Sequence, residues 1–257
     1  MTRILWDALG SRRFSTGVDR GVLYLQNGSG VPWNGLVSVN EAPSGADVVD
    51  NYYDGQKFFS RRQPEEYAAT IEAFTHPVEF DEFDGRGRYV TDQRRKTFGF
   101  SYRTLLGNDI EGTSFGYLIH IVYDAIASPS ARSHKTVSSS TDLNLFSWGI
   151  TTSHRELGGR SGSHLIIDST IAHPWVIQAI EDLLYGSAST APRLPDPQEI
   201  LDLFEEGVIL KIIDHGDGTW TADGPDDAIV MLDSTTFQIT WPSAVYLYSD
   251  TYRISSL

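Results

Sequence analysis

The feature that most constrains this fold is the alternation of apolar and polar side chains over residues 65–75. The two sets are Tyr67, Ala69, Ile71 and Ala73 against Glu66, Thr70 and Glu72. A period of two is typical of a half-buried β-strand, because successive side chains point to opposite faces of a sheet. Glu and Ala also favour helices, so a helix is the alternative. Thr70 and Ile71 favour the strand, which is our prediction.

Short β-prone segments separated by turn residues continue along most of the chain. Asp54-Gly55 lies between VVDNYY and QKFFSR and predicts a tight hairpin, because this dipeptide supplies the positive φ that such turns need. The turn at 27–30 predicts a strand–turn–strand unit from GVLYLQ and GLVSVN. The two longest strands are predicted at 96–107 and 115–127, and 77–85 is interpreted as one helical turn.

Helical periodicity is found at 173–186 and again after Asp196, which is interpreted as the cap of a helix that starts at Pro197 and ends before Gly207. Together these patterns predict a mainly β protein with a flanking helix. The predicted organisation is an N-terminal arm (1–20), a β domain (21–186), a linker with a short helix (187–207) and a small C-terminal β appendage (208–257).

Charge restricts the possible partners. The chain has 34 acidic and 20 basic residues, a formal net charge of −14. Stable binding to nucleic acid or to anionic lipid needs a basic surface, so both are disfavoured. An acidic surface instead suits the passage of a polyanion without adhesion, or it simply keeps the protein soluble. The sequence has no run of about 20 apolar residues, so we expect no membrane span.

Sequence motifs for catalysis are not found. The chain has no cysteine and 7 scattered histidines, and we interpret His120, on an apolar segment, as a core or interface residue rather than a metal ligand. The acidic set Glu79, Asp81, Glu82 and Asp84 could form the carboxylate pair of a glycosidase, with Glu79 and Glu82 as the candidates, or supply oxygen ligands for calcium. They lie in a short acidic segment that is more typical of a solvated turn. We therefore predict no enzyme, no catalytic residue, no cofactor and no metal.

Apolar and basic side chains near the hairpin and the N-terminus suggest contacts with other subunits. The hairpin aromatics could form a local core or an interface, and we favour an interface. The N-terminal segment is either a frayed end or an arm that docks on a neighbour. The predicted contact residues are Leu5, Trp6, Phe14, Tyr52, Tyr53, Phe58, Phe59, Arg61 and Arg62.

Several phrases within residues 14–206 resemble the major tail (tail tube) proteins of long-tailed phages that infect actinobacteria. The strongest are TGVDRGVLYL, WNGLVSVNEAPSG, YYDG, EEYAATIEAFTHPVEF, RKTFGFSYRTLLGND, IASPS and RLPDPQEIL. The segment DNYYDGQKFFSRRQPEEY departs from the family near the hairpin, and the part after residue 207 varies among such proteins. The seven phrases quoted above are specific to this family only in combination, and no single phrase is sufficient.

The resemblance implies a tail-tube-type β-sandwich or partial barrel. It also implies that six copies close into a ring and that stacked rings form a tube in the virion tail, assembled in the host cytoplasm. Such a tube conducts double-stranded DNA without binding it specifically and contacts a tape measure protein and other tail proteins. On this interpretation, Glu66, Thr70 and Glu72 face the lumen.

Two other roles stay open. A related ring component, such as a distal tail or terminator protein, would share the fold but occur in far fewer copies. A carbohydrate-binding β module is suggested by aromatic residues of the C-terminal segment, which are Trp220, Trp241, Tyr246 and Tyr248.

Overall fold

The computed structural model describes residues 6–45, 48–62, 65–85, 93–128, 144–152, 156–157, 160–205, 208–214, 220–223, 229–231, 237–239, 244–248 and 251–255. The chain divides into two compact units, residues 1–172 with 182–194 and residues 173–181 with 195–257, so the boundary falls within a helix. The fold is mainly β, as the sequence predicts. Neither α-helix in the described part of the chain is long and apolar enough to cross a membrane.

The first unit holds most of the strands and a 3-10 helix at Val78–Glu82. Its strands are β1 (Phe14–Tyr24), β2 (Gly30–Pro32), β3 (Leu36–Glu41), β4 (Ser44–Gly45), β5 (Val48–Tyr53), β6 (Gln56–Arg62), β7 (Glu65–Glu66), β8 (Ala68–Ala73), β9 (Phe98–Asn108), β10 (Gly112–Ala127), β11 (Phe146–Thr152), β12 (Glu156–Leu157), β13 (Arg160–Ser161) and β14 (His164–Asp168). Eight of these strands form one antiparallel sheet in the order β2-β1-β9-β10-β11-β8-β3, with β14 also paired to β10.

Bulges bend this sheet so that its far end approaches its beginning. Register shifts occur in β1, where Gly17 and Arg20 have φ values of 69° and 48°, and in β10, where Asp124 has a φ of 51°. Bulges increase local twist and curvature. Beyond β2, the Trp33 N–H donates to the Gly21 carbonyl at 2.8 Å, which brings the start of β3 beside β1. The sheet is therefore a partial barrel.

Its interior is filled by large apolar side chains from β1, β8, β9, β10 and β11. Trp33 and the 3-10 helix contribute to the same core. The fully buried members include Trp148, Phe80, Phe100, Leu23, Ile71 and Ile150. Because one inward face serves all these strands, the alternation along β8 buries Ala69, Ile71 and Ala73 as predicted.

Two features of the sheet differ from the sequence prediction: the partner of β3 and the start of β1. The turn at residues 25–29 leads into β2, which pairs with β1 from Tyr24 opposite Gly30, while the second predicted strand of that unit, β3, pairs with β8. The reason is the tight turn, in which the Leu25 N–H donates to the Ser29 carbonyl and Gly28 has a φ of 82°. Also, β1 begins at Phe14, inside the segment 1–20 that we interpret as an arm.

Helices α1 (Pro174–Tyr185) and α2 (Pro197–Glu205) confirm the helix predictions. Gly186 follows α1 with a φ of 83°, and the Asp196 carboxylate accepts the Gln198 N–H at 3.0 Å before the second turn of α2. The second unit contains α2 and the strands β15 (Val208–Asp214), β16 (Trp220–Asp223), β17 (Ile229–Met231), β18 (Phe237–Ile239), β19 (Ala244–Tyr248) and β20 (Thr251–Ser255). These strands form a sheet ordered β16-β15-β20-β19 and the pair β17-β18.

Candidate functional site

A long β-ribbon leaves the partial barrel at the end of β3 and the start of β8. Its three blocks of pairing, β3 with β8, β4 with β7 and β5 with β6, are each antiparallel. Across all three blocks, each step forward along one arm is matched by one step back along the other. The pairs that show this are Ser38–Glu72, Glu41–Ala69, Ser44–Glu66, Val48–Arg62 and Asn51–Phe59. The blocks therefore share one register, as the two arms of a single ribbon do.

The ribbon ends in the predicted Asp54-Gly55 hairpin, where φ is 51° and 74°. The four aromatic side chains beside the turn are largely exposed: Tyr52 by 67%, Tyr53 by 75%, Phe58 by 73% and Phe59 by 51%. The Phe58 ring contacts two of the others edge-on, with ring centroids 6.3 Å apart for Tyr53–Phe58 and 6.0 Å for Phe58–Phe59. Within the described residues, β5 and β6 pair only with each other.

Charged groups on the same hairpin are organised around Asp50. Its Oδ1 lies 2.8 Å from Lys57 Nζ and accepts a hydrogen bond of 2.5 Å from the Ser60 hydroxyl. The hydrogen bond from Lys57, followed by that from Ser60, lowers the pKa of Asp50 below its usual value. Arg61 is exposed, and the side chain of Arg62 lies outside the described part of the structure.

The N-terminal contact candidates fall into two kinds. The Trp6 side chain is exposed, whereas the Phe14 ring is half exposed and lies against Gly107, leaving no room there for a Cβ. The Gly10 N–H donates to Asp109 Oδ1 at 3.0 Å, so residues just before β1 are held at the β9–β10 turn. Leu5 lies outside the described residues.

The outward side of β7 and β8 is polar. Glu66 is exposed, while Thr70 and Glu72 are half-buried and lie opposite the core-facing Ile71. Glu72 Oε2 accepts a 2.7 Å hydrogen bond from Ser38 on β3. The three adjacent strands β3, β8 and β11 contain no lysine or arginine. These three strands therefore offer no fixed cation for a phosphate to bind.

A cluster of ionisable side chains lies where the ribbon leaves the barrel. Glu41 ends β3, His120 is buried on β10, and His164 begins β14. His120 Nδ1 lies 3.3 Å from Glu41 Oε1 and 3.1 Å from His164 Nε2. These three residues could hold a metal ion, because one ligand atom from each lies within 4.8 Å of the others.

Neighbouring hydroxyl groups orient this cluster. The Tyr102 hydroxyl donates to Glu41 Oε1 at 2.6 Å and lies 3.0 Å from the Tyr67 hydroxyl, while Thr104 Oγ1 lies 3.0 Å from His120 Nε2. The Tyr102 and His120 rings stack at 4.5 Å. Burial lowers the pKa of His164 to about 4 and lowers the pKa of His120 as well. Burial also raises the pKa values of Tyr67 and Tyr102.

His120 is the one member of this cluster that the sequence singles out, as a core or interface residue rather than a metal ligand, and the structure has it buried. Nothing in the spacing of residues 41, 120 and 164 links the three. The carboxylates Glu79 and Glu82 are both exposed on the 3-10 helix, and Glu82 pairs with Lys96 at 2.7 Å. The side chains of the C-terminal aromatic residues lie outside the described part of the structure.

Comparison with known proteins gives a limited result. No protein-family model matches the sequence, and no curated protein matches it. Solved structures that match this chain in part include the sheath–tube complex of the extracellular contractile injection system PVC, at 15% identity over 58% of this chain and 88% of that one, with a TM-score of 0.29. The tube-terminating cap of the anti-feeding prophage matches at 11% identity over 66% and 97% of the two chains, with a TM-score of 0.31.

The baseplate structure of the same anti-feeding prophage matches at 9% identity over 66% of this chain and 100% of that chain, with a TM-score of 0.34. These neighbours are components of phage-tail-like assemblies. At TM-scores this low, the similarity carries no argument for the role of this chain.

Proposed function

We propose that this chain is the repeating subunit of a phage-type tail tube, in which six copies close into a ring and rings stack into a hollow cylinder. The observation that carries the proposal is the β5–β6 hairpin, whose four aromatic side chains are exposed by 51–75%. Complete burial of one such side chain contributes about 1.5–3 kcal/mol. In a lone subunit these side chains stay in water, so most of this burial free energy is not gained. Association with a neighbour that covers the hairpin would be stabilised by it.

A second copy of the same chain is the occupant that fits the hairpin. Residues 48–62 contain three basic and two acidic residues, in a chain whose formal net charge is −14. A weakly basic, aromatic hairpin is therefore complementary to the acidic surface of its own copies. An edge on each arm of the hairpin is also open to further strand pairing in the described structure, and closed oligomers remove such edges. The sequence phrases that resemble tail tube proteins support the same assembly.

We assign the outward side of β7 and β8, with Glu66, Thr70 and Glu72, to the lumen of the tube. Support comes from the polar character of this face and from the lack of lysine and arginine in β3, β8 and β11. DNA phosphates bind where cations can replace their counterions, so DNA would pass this surface without adhering. The tape measure and other tail proteins are the expected partners, and the virion tail is the expected location.

The remaining segments complete the proposal. Trp6 and the residues before β1 would contact a neighbouring subunit as an arm. Residues 208–257 would form an appendage of the tube rather than part of its wall, because their strands pair only among themselves in the described residues.

Electron microscopy and analytical ultracentrifugation of the purified protein test this function. Wild-type protein is expected to form six-fold rings or stacked tubes as its concentration rises. The double variant Tyr53→Ser/Phe58→Ser is expected to stay monomeric. A matched control is Ile171→Ser, which also removes an exposed apolar side chain but lies outside the hairpin, and it should assemble like wild type.

Two results would overturn the proposal. A wild-type chain that remains monomeric at every concentration, or closes with a symmetry other than six-fold, is not a tube subunit of this kind. Normal assembly of the double variant would remove the hairpin from the interface and with it the observation on which the proposal depends.

A further inference from the structure

We propose that Glu41, His120 and His164 bind a divalent transition-metal ion, with Zn²⁺ as the best fit. The site lies at the base of the ribbon, away from the exposed aromatic side chains of its tip. Two imidazoles and one carboxylate are ligands that zinc accepts readily, and the chain has no cysteine that could compete for the ion.

Two of the three distances between the candidate ligand atoms match those around a single ion, and the third is within 4.8 Å. His120 Nδ1 lies 3.1 Å from His164 Nε2 and 3.3 Å from Glu41 Oε1. Ligands placed tetrahedrally around zinc, at about 2.0–2.1 Å from the ion, lie about 3.3 Å from each other. The three atoms are therefore close enough to bind one ion after adjustment of their side chains.

One hydrogen bond from His120 Nδ1 serves only one of its two close neighbours. His120 Nδ1 faces both a carboxylate oxygen and an imidazole nitrogen, and a ring nitrogen carries at most one proton, so it can donate fully to only one of them. Glu41 Oε1 already accepts a hydrogen bond from Tyr102. A cation among the three atoms attracts all of them at once.

Neighbouring groups hold the ligands in the orientation that metal binding needs. Thr104 Oγ1 can accept the proton of His120 Nε2, which leaves the lone pair of Nδ1 directed at the site. The Tyr67 and Tyr102 hydroxyls form a chain that ends on the Glu41 carboxylate. Partners of this kind fix the tautomer and the ring orientation of metal ligands in known sites.

The position of the cluster also allows an ion to enter. Glu41 has a side chain that is 34% exposed, and His164 is half-buried, whereas His120 is buried behind them. Three protein ligands leave a fourth tetrahedral position for water. The site therefore has a protein side that is preorganised and a solvent side that is open.

Such an ion would connect strands that are far apart in the sheet order. Glu41 belongs to β3, at one end of the sheet, and His120 and His164 belong to the paired strands β10 and β14. The ion would fix the base of the ribbon to the barrel. This inference concerns a single chain and does not depend on the proposed tube.

Isothermal titration calorimetry with Zn²⁺ on the purified full chain, stripped of metal by chelation, tests the site, together with elemental analysis of the dialysed protein. One zinc per chain is expected. His164→Gln and Glu41→Gln are expected to weaken binding by more than about 100-fold, which exceeds the effect of a typical outer partner. His76→Gln is the matched control, because His76 has a single carboxylate neighbour, Asp81, at 3.2 Å, and it should bind like wild type.

A second variant separates orientation of the ligands from direct coordination. Thr104→Val keeps all three ligands but removes the hydroxyl beside His120, and it is expected to weaken binding by about 10–100-fold. Substitution by Co²⁺ gives an independent readout, since a four-coordinate ion produces a visible absorption that His164→Gln should abolish. Circular dichroism of each metal-free variant shows whether it is folded.

Three results would overturn the proposal. They are a folded wild-type chain that binds no zinc, folded His164→Gln and Glu41→Gln variants that bind zinc as wild type does, and equal binding of Ca²⁺ or Mg²⁺. The first would identify the cluster as a hydrogen-bonded histidine pair without an ion. None of these results depends on ring formation, so failure of the metal site and failure of the tube proposal are distinguishable.

Discussion

Two aromatic clusters of this protein have similar side chains and opposite surroundings. The inner cluster consists of Trp33, Phe80, Phe100 and Trp148, each at most 2% exposed. Its ring centroids lie 4.6 Å apart for Trp33–Phe80 and 5.6 Å for Trp33–Trp148. The hairpin cluster consists of Tyr52, Tyr53, Phe58 and Phe59, each at least 51% exposed.

The difference lies in how the aromatic residues are spaced along their strands. Phe98, Phe100 and Tyr102 alternate along β9, so one face carries them all and a single layer covers them. Tyr52-Tyr53 and Phe58-Phe59 are instead consecutive pairs beside a register shift, so strict alternation between the two faces does not hold there. The rings of Tyr53, Phe58 and Phe59 contact one another, and β5 and β6 pair only with each other among the described residues. The inner cluster is therefore covered by its own sheet, whereas the hairpin cluster stays exposed.

The largest expected effect belongs to the inner cluster. Trp148→Ala removes a side chain that is 1% exposed and contacts Trp33 and Phe80, and it should lower the free energy of unfolding by about 3–5 kcal/mol. Urea denaturation measures this loss. Trp6→Ala is the control, because Trp6 is 79% exposed and its replacement should change the value by less than about 0.5 kcal/mol. Equal losses in the two variants would remove the distinction between inner and outer aromatic residues.

A smaller effect is expected from one buried hydroxyl. The Tyr24 hydroxyl donates to the Leu184 carbonyl at 3.0 Å and lies 3.0 Å from Ser101 Oγ. Tyr24→Phe leaves these buried partners without it and should cost about 1–2 kcal/mol of unfolding free energy. Tyr53→Phe removes an equivalent hydroxyl from the exposed hairpin and should cost nothing measurable. A neutral Tyr24→Phe would mean that water replaces the lost hydroxyl inside the protein.

Much of the fold could be predicted from the sequence because local signals agree with the tertiary structure. The alternation along 65–75 correctly predicted the half-buried strand β8, and Asp54-Gly55 correctly predicted the hairpin turn. Asp196 and Pro197 placed the start of α2. Each of these signals acts within a few residues, where steric and hydrogen-bonding preferences decide the conformation.

Features that depend on long-range pairing could not be predicted. The tight turn at residues 25–29 places β2 beside β1, but β8, the partner of β3, lies well beyond it in the sequence and leaves no pattern within residues 21–40. The cluster of Glu41, His120 and His164 is assembled by three strands that are far apart in sequence. The single register of the ribbon likewise requires knowing that β4 faces β7.

The hairpin aromatics are expected to matter little for the stability of an isolated subunit. Tyr53→Ser/Phe58→Ser should change the unfolding free energy of the monomer by less than about 0.5 kcal/mol, as exposed substitutions usually do. This separates the two interpretations left open by the sequence. A loss clearly above about 1 kcal/mol would indicate that these side chains form a local core, because it exceeds what strand propensity and one ring contact contribute in a monomer.

The smallest expected effect is a pH dependence of the hairpin. The hydrogen bonds from Lys57 and Ser60 lower the pKa of Asp50, so the folded hairpin favours the carboxylate form. This contribution is present above the pKa of the unfolded chain, about 3.9, and is lost as the pH falls through the lower folded value. NMR titration of the Asp50 carboxyl group should give a midpoint below 3.9, and Lys57→Gln should move it back towards that value. A midpoint in wild type at or above about 3.9 would show that the Lys57 contact does not persist in solution. The exposed hairpin would then lack both this ion pair and the packing that surrounds the inner cluster.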